Sequence, residues 1–511
     1  MDKIMWKETR KRQILIILGL SVLVLACLTV EAWRRGVFSE KEKNAGKERT
    51  AQEQTEQNNG KAKKKKVTED MKVRVLLNTT NFTSLYHKKV KITSKRPFSV
   101  TVDGEKKVYE AGDTVSYQVS DNSLKKKKIV IAPEEEGKLK VLSITRQNIN
   151  PAYRGTIQLK WTKNGFLLTN KLLLEEYLYA VVPSELSTKN NMEALKAQAI
   201  CARSYAYQQI NSARYDKYQA DLEDSVDCQV YNNVPEDARS RKAVKSTHGM
   251  VVANQKNKVI QTYYYSTSWG HSASGKDVWN TKSEVPYLQE KLQITDKSRK
   301  KSGIDEVNLA NENNFRTFIQ TDSFDTYDSD SEWYRWDVMI TEESLSGRVD
   351  AALASCYAVN PKYVLTQKND GSYKQGVLKP IGKIKKLRVE KREKSGLVTE
   401  LVVVGKKNVV KVCTQYNIRK VLSPVYEAIS YNEGKSKTTM SMLPSAAFYI
   451  VDATKDNKSA FWFVGGGFGH GTGMSQCGAQ KMAKSGKSCE EIIKHYFAGT
   501  KLLNLSEVND K

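Results

Sequence analysis

The sequence predicts an α+β protein: a β-rich N-terminal module and a mixed body of strands and helices, behind one N-terminal transmembrane helix and a disordered tether. Three observations point to this class. Ile14 to Val30 is an uninterrupted apolar run without a charged residue. Residues 36–71 hold almost no large apolar side chains. From residue 72 onward, short alternating apolar and polar segments between Gly, Asp and Asn turns dominate, interrupted by a few helical stretches.

The apolar run is 17 residues long, enough at about 1.5 Å per residue to cross a thin hydrocarbon core. Basic residues stand on both sides of it, Lys3, Lys7, Arg10, Lys11 and Arg12 before and Arg34, Arg35, Lys41, Lys43 and Lys47 after. The positive-inside rule therefore does not orient the helix. Residues 1–35 are read as a cytoplasmic tail and anchor, with the rest of the chain outside the cytoplasm. A cleaved signal peptide is the alternative, but no A-x-A site follows the run. Residues 36–71, rich in Glu, Gln, Lys and Asn, cannot bury enough surface to fold and read as a linker.

Residues 72–140 carry the alternating segments VRVLL, KVKIT, FSVTV and KIVIA and are assigned to a β-rich module. Residues 141–503 form the second unit and 504–511 a tail. Within that unit, Gly155 to Asn170 predicts two strands around an Asn-Gly turn. Met192 to Ile210 predicts a long Ala-rich helix, capped by Asn190 or Asn191 with Glu193 in its first turn. Residues 259–266 (VIQTYYYS) predict a strand, the stretches KKLRVEKR, TELVVVG and VVKVCT after Leu378 more strands, and Cys489 to Phe497 a closing helix. The polar, acidic stretch 290–335 has no clear period.

The chain has 511 residues, a net charge of +26 and a mean hydropathy of −0.57. This length supports two or three domains, and the hydropathy excludes a polytopic membrane protein. More than half of the net charge falls in residues 1–150, in Lys-only runs such as Lys63 to Lys66 and Lys125 to Lys128. Nucleic-acid recognition interleaves Arg and aromatics on a folded face, so these runs read instead as solvated tails and loops near an anionic surface. The seven cysteines contain no C-x-x-C pair, which argues against a disulfide framework.

Two segments break the ordinary texture of a folding sequence. The first is VVPSEL. Pro183 restricts its own backbone and pushes Val182 toward an extended conformation, placing Ser184 and Glu185 at a corner between helical stretches. There Glu185 either faces a cleft or caps a helix. Lys196 and Arg203, the only cations of the following helix, are seven residues apart and share a face, which lies either in solvent or beside Glu185.

The second segment, Val464 to Gln480, has seven glycines around His470 and lets a polymer or another strand approach closely. His470 is either a hydrogen-bonded structural residue or part of a site. This segment has no G-K-[ST], and the chain has no H-E-x-x-H or G-x-S-x-G motif, so nucleotide, zinc-protease and serine-hydrolase chemistry lack their signatures here.

In these segments the chain resembles the stage II sporulation protein D (SpoIID/LytB) family of bacterial cell-wall proteins. The matching blocks are LLLEEYLYAVVPSEL, NMEALKAQAICARSYAY, DCQVY, TYYYSTSWGHSASGKDVW, VPYLQ, LPSAAFYI and the long glycine-rich segment from Gly465 to Thr500. The resemblance implies a lytic transglycosylase that cuts peptidoglycan glycan strands and needs no cofactor. It assigns the acid to Glu185 and substrate binding to Lys196, Arg203, Ser266, His470 and Gln476. Some relatives bind zinc near the YYYSTSWGHSASG block, where this chain offers only His271, so no metal is expected. Implied partners are the glycan strands and a cell-wall amidase, with no nucleic acid. A non-catalytic wall-binding enhancer of an amidase is the alternative, and a hydrolase pairing Glu185 with Glu176 or Asp227 is another.

Overall fold

Lys72–Leu77 (KVRVLL) has a nearly continuous apolar run because it lies inside a sheet, covered on both faces. It pairs antiparallel with Gly165–Leu173 and parallel with Leu222–Glu223. From these neighbours grows a seven-stranded sheet in the order 222–223, 72–77, 165–173, 156–162, 128–133, 98–102 and 105–109. The computed structural model describes residues 71–509 apart from 322, 323, 432, 433, 438 and 439. The predicted anchor Ile14–Val30 and nearly all of the tether lie outside the described residues. Among the described residues, no helix is long and apolar enough to cross a membrane.

Strands from both sides of residue 140 share this sheet, so residues 72–140 do not stand as a module with their own core. Val73, Val75, Ile129 and Ile131 pack in one cluster with Leu168, Leu178 and Ile200. The partners of a strand are fixed by pairing across about a hundred residues, which a local alternating pattern does not reveal. The Asn-Gly hairpin is as the sequence predicts, with Thr156–Thr162 and Gly165–Leu173 antiparallel and Gly165 opposite Thr162.

Two helices cover the sheet, α1 (Leu174–Glu185) and α2 (Met192–Ile210), and α3 (Ala238–Ser246) packs on both of them. Asn191 caps α2, its side chain accepting the Glu193 N–H at 3.0 Å. The five alanines of α2 (194, 197, 199, 202 and 206) permit close approach, and all five are fully buried. A second core gathers residues between Trp269 and Phe463. It contains two five-stranded sheets, 435–437/429–431/336–341/458–465/448–455 and 373–374/364–367/409–413/398–405/384–392, with the helix Glu342–Val359 packed on both.

After the second core the chain returns to the first. Helices α4 (Gln476–Lys484) and α5 (Cys489–Tyr496) send Ala479, Met482, Ile492 and Ile493 back into the α1–α2 cluster. The return is joined by a short parallel pairing of Tyr264–Tyr265 with Met474–Ser475. Only those two residues of the predicted strand 259–266 form a ladder, because each strand of this pair is two residues long. The six described cysteines are free thiols.

Candidate functional site

Glu185 is the last residue of α1, and Pro183 lies inside the final turn of that helix rather than before it. Val182 is therefore helical, and the predicted extended corner does not form. Proline is tolerated there because Ser184 repairs the helix end: its hydroxyl donates to the Ala180 carbonyl at 2.6 Å and accepts the Asn233 N–H at 3.0 Å. This pins the loop after Cys228 onto the helix terminus. The loop's Val230 N–H then donates to Glu185 Oε1 at 2.6 Å.

Tyr264 and Gln476 also face the Glu185 carboxyl with their side chains. Burial pushes that carboxyl up to about 7, while the Val230 amide, Tyr264 and Gln476 pull in the other direction. Each of these partners is neutral. The residue itself stays partly exposed.

Gln476 opens α4, so its position follows from the cap. Ser475 Oγ accepts the Gly478 N–H at 3.2 Å and donates to the buried carboxylate of Asp328. Asp328 also takes the Ser268 N–H at 3.0 Å and hydroxyl at 2.6 Å. Gln476 Nε2 reaches Gln198 Oε1 on α2 at 3.3 Å. The glycines of this segment bring strand to strand. A Cβ on Gly473, whose φ is +79°, would stand 2.1 Å from the Tyr263 carbonyl oxygen.

His470 does not hydrogen-bond to Glu185. Its Nδ1 accepts the Thr472 N–H at 3.2 Å, which leaves the proton on Nε2 to donate to the Tyr264 carbonyl at 3.1 Å. Burial, then the nearby Arg419 guanidinium, lowers its pKa to about 4, so the ring stays neutral around pH 7. Tyr263, Tyr265 and Trp279 pack around it. His470 thus holds the backbone that carries the Tyr264 phenol. Ser266 shares a 3.1 Å hydroxyl contact with Thr267, and its carbonyl accepts the Cys477 N–H at 3.0 Å.

Lys196 and Arg203 part company. Lys196 lies at the rim and pairs with Glu193 at 2.7 Å. Arg203 is fully buried, gripping Glu175 through Nε at 2.6 Å and Nη2 at 2.7 Å and the Met250 carbonyl through Nη1 at 2.9 Å. Seven residues along a helix keep the same face but advance about 10 Å, from the open end of α2 to the part covered by α3. The structure thus gathers Glu185, Gln476 and, through Tyr264, His470; Arg203 joins α1 to α2 instead.

Sequence reasoning missed Tyr264, Gln229, Gln198 and Asp328. Tyr264 Oη donates to Gln229 Oε1 at 2.8 Å. Gln198 is fully buried in α2. The DCQVY and YYY blocks contain the signal for Gln229 and Tyr264; nothing local marks Asp328, which lies in the unplaced acidic stretch. Among the described residues, no three His, Cys, Asp or Glu side chains converge to hold a metal ion. His271 is buried, its Nδ1 2.7 Å from the Ser272 carbonyl.

Comparison with known proteins matches residues 162–253 to a family model described as SpoIID, stage II sporulation protein. Residues 273–473 match a domain of unknown function (DUF8618), close to the extent of the second core. The chain is 26% identical to stage II sporulation protein D of Bacillus subtilis over 343 residues, 64% of this chain and 74% of that protein. It is 25% identical to the amidase enhancer of B. subtilis over 329 residues, 64% of this chain but only 40% of the relative's length. An uncharacterised protein of Brachyspira hyodysenteriae is 25% identical over 358 residues, 70% of this chain and 74% of the relative.

Proposed function

We propose, for a chain that belongs to the SpoIID family, a membrane-anchored lytic transglycosylase that cleaves peptidoglycan between N-acetylmuramic acid and N-acetylglucosamine. The observation carrying this reading is one carboxyl, that of the partly exposed residue Glu185, raised by burial to about 7 among neutral partners. A transglycosylase needs one group that is first acid and then base. Protonated Glu185 gives its proton to the glycosidic oxygen leaving C1. The resulting carboxylate takes the proton of the same sugar's C6 hydroxyl, whose oxygen attacks C1 and closes a 1,6-anhydro ring. A pKa near neutrality serves both steps.

A hydrolase would need a second carboxylate to activate water, at a spacing of about 5–9.5 Å. Glu176 lies nine residues before Glu185 on α1, about 13 Å along the axis, and faces Arg154 at 3.7 Å. Asp227 is exposed on the loop. The supported reading therefore predicts a rate that is limited by protonated Glu185. Cleavage of peptide-free glycan strands is expected to fall as pH rises through about 7. Initial rates measured between pH 5 and pH 9 check this, and a rate flat to pH 9 would remove Glu185 as the acid.

A second reading is favoured by the relative named amidase enhancer: the chain binds the wall and raises the activity of an amidase without cutting glycan. Mass analysis of strands incubated with the chain separates the two, since an enhancer leaves their length unchanged. Either reading places the folded part outside the cytoplasm, in sporulation or wall remodelling, held by Ile14–Val30. Protease added to intact protoplasts is expected to digest the region after residue 71; complete protection would reverse the topology.

A further inference from the structure

Positive charge gathers in one stretch of the second core: residues 362–411 hold fourteen Lys and Arg against four Asp and Glu. Much of it lies on Ile384–Arg392, the edge strand of its sheet. Ile384 stands opposite Gly405 and Lys386 opposite Val404, so Lys385 is one residue more than the ladder needs. In such a bulge two residues oppose one. Ile384 and Leu387 turn into the core, while Lys385 and Lys386 are both exposed. A regular strand would alternate and turn one of the two lysines inward.

Two more stretches meet at the same end of the sheet. A Cβ on Gly405 would stand 2.2 Å from the Ile381 carbonyl oxygen, so glycine lets residues 380–383 cross here. The crossing is fastened by the Lys406 N–H on the Lys383 carbonyl at 2.8 Å, the Lys407 N–H on the Ile381 carbonyl at 2.9 Å and Asn408 Nδ2 on the Pro380 carbonyl at 2.7 Å. Lys379, Lys385, Lys386, Lys406 and Lys407 are thereby brought together, all exposed. Among the described residues, none of the five pairs with a carboxylate, whereas Lys383 is held by Glu342 at 3.1 Å and Arg388 by Glu390 at 2.8 Å. Like charges so placed repel one another, and a bound polyanion relieves that repulsion.

We propose that this cluster of lysines binds a linear phosphodiester polyanion, a polyol-phosphate chain of the cell wall. Every unpaired cation in it is a lysine, a compact point charge that donates to phosphate oxygens without needing a planar partner. The arginines, whose forks fit carboxylates, are already taken, Arg388 by Glu390 and Arg392 by Glu312. That favours phosphate over the carboxylates of peptide stems. Neither 379–388 nor 404–408 carries an aromatic side chain on which a nucleobase would stack. The wall as the setting rests on the proposed function; the binding itself does not involve Glu185.

Fluorescent poly(glycerol phosphate), titrated onto the full chain in neutral detergent micelles, is expected to bind with an affinity that falls at least about tenfold between 50 and 200 mM salt. Lys385→Glu, Lys386→Glu, Lys406→Glu and Lys407→Glu together should weaken binding at least about tenfold at the lower salt. The same reversal at Lys125 to Lys128, an equally exposed run, changes the net charge as much and should cost less than about twofold. Absence of binding by the wild type, or equal losses in the two variants, overturns the proposal. Glutamine at the same four positions, which adds no new charge, repeats the test if the reversed variant does not fold. Two further arms identify other occupants. On intact walls the variant should be retained less than the wild type, and on walls stripped of phosphodiester polymer by hydrofluoric acid the two should be retained alike; a difference that persists there assigns the lysines to peptide carboxylates and overturns the proposal. Complete displacement of the polymer by phosphatidylglycerol micelles of equal phosphate content assigns them to a membrane and overturns it as well. None of these readouts uses glycan cleavage, so loss of polymer binding and absence of cleavage are separate failures.

Discussion

Glu185→Gln is expected to fold and to bind glycan while strand cleavage falls by at least about two orders of magnitude. Glutamine keeps the shape and still accepts the Val230 N–H, but has no transferable proton. The wild-type product should end in 1,6-anhydro-N-acetylmuramic acid, one water lighter than a reducing end. The same variant tests the burial of the carboxyl through stability. Because the folded-state pKa is raised to about 7 from 4.5, the native chain holds a proton that the unfolded chain releases between those values. Stability contributed by this group is present at low pH and declines as pH rises toward 7. Glu185→Gln, which never ionises, should therefore melt higher than wild type at pH 8, with the difference closing below about pH 5. Wild-type cleavage rates in the variant would displace the acid to another residue; equal melting at both pH values would mean that the carboxylate is not desolvated.

Local chemistry made some elements legible and left others hidden. The α2 helix could be read because Asn191, Glu193 and the spaced alanines all act within a few residues. The 156–173 hairpin was readable for the same reason, its turn being set by Asn164 and Gly165. The seven-stranded sheet was not, since Lys72–Leu77 takes its neighbours from residues 165–173 and 222–223. The glycine-rich segment announced close approach but not its partner; Gly473 makes room for the Tyr263 carbonyl, so a strand of the same chain fills that space. Asp328 had no local sign, because its burial comes from Ser268 and Ser475, each far away in sequence. Glu185 was visible through its motif, whereas the Tyr264 and Gln229 geometry required the loop after Cys228 to be folded against α1.

Arg203→Met is expected to be the most destabilising of the substitutions considered, by about 3–5 kcal/mol, the range for breaking one side of a buried ion pair. The methionine fills part of the volume but leaves the Glu175 carboxylate without its two-pronged partner. The Met250 and Val244 carbonyls also lose the donors that Arg203 Nη1 and Nη2 supply at 2.9 and 3.3 Å. Arg203→Lys keeps the charge but not the fork, so an intermediate loss is expected. Adding Glu175→Gln to Arg203→Met should recover part of the loss, because the unpaired charge is then gone. A residue that only bound substrate would behave differently: its Lys variant would raise KM while the melting temperature stayed put. Thermal melts of the full chain, read beside KM, distinguish the two. An unchanged melting temperature with a raised KM would return Arg203 to the substrate-binding role that the family resemblance implies.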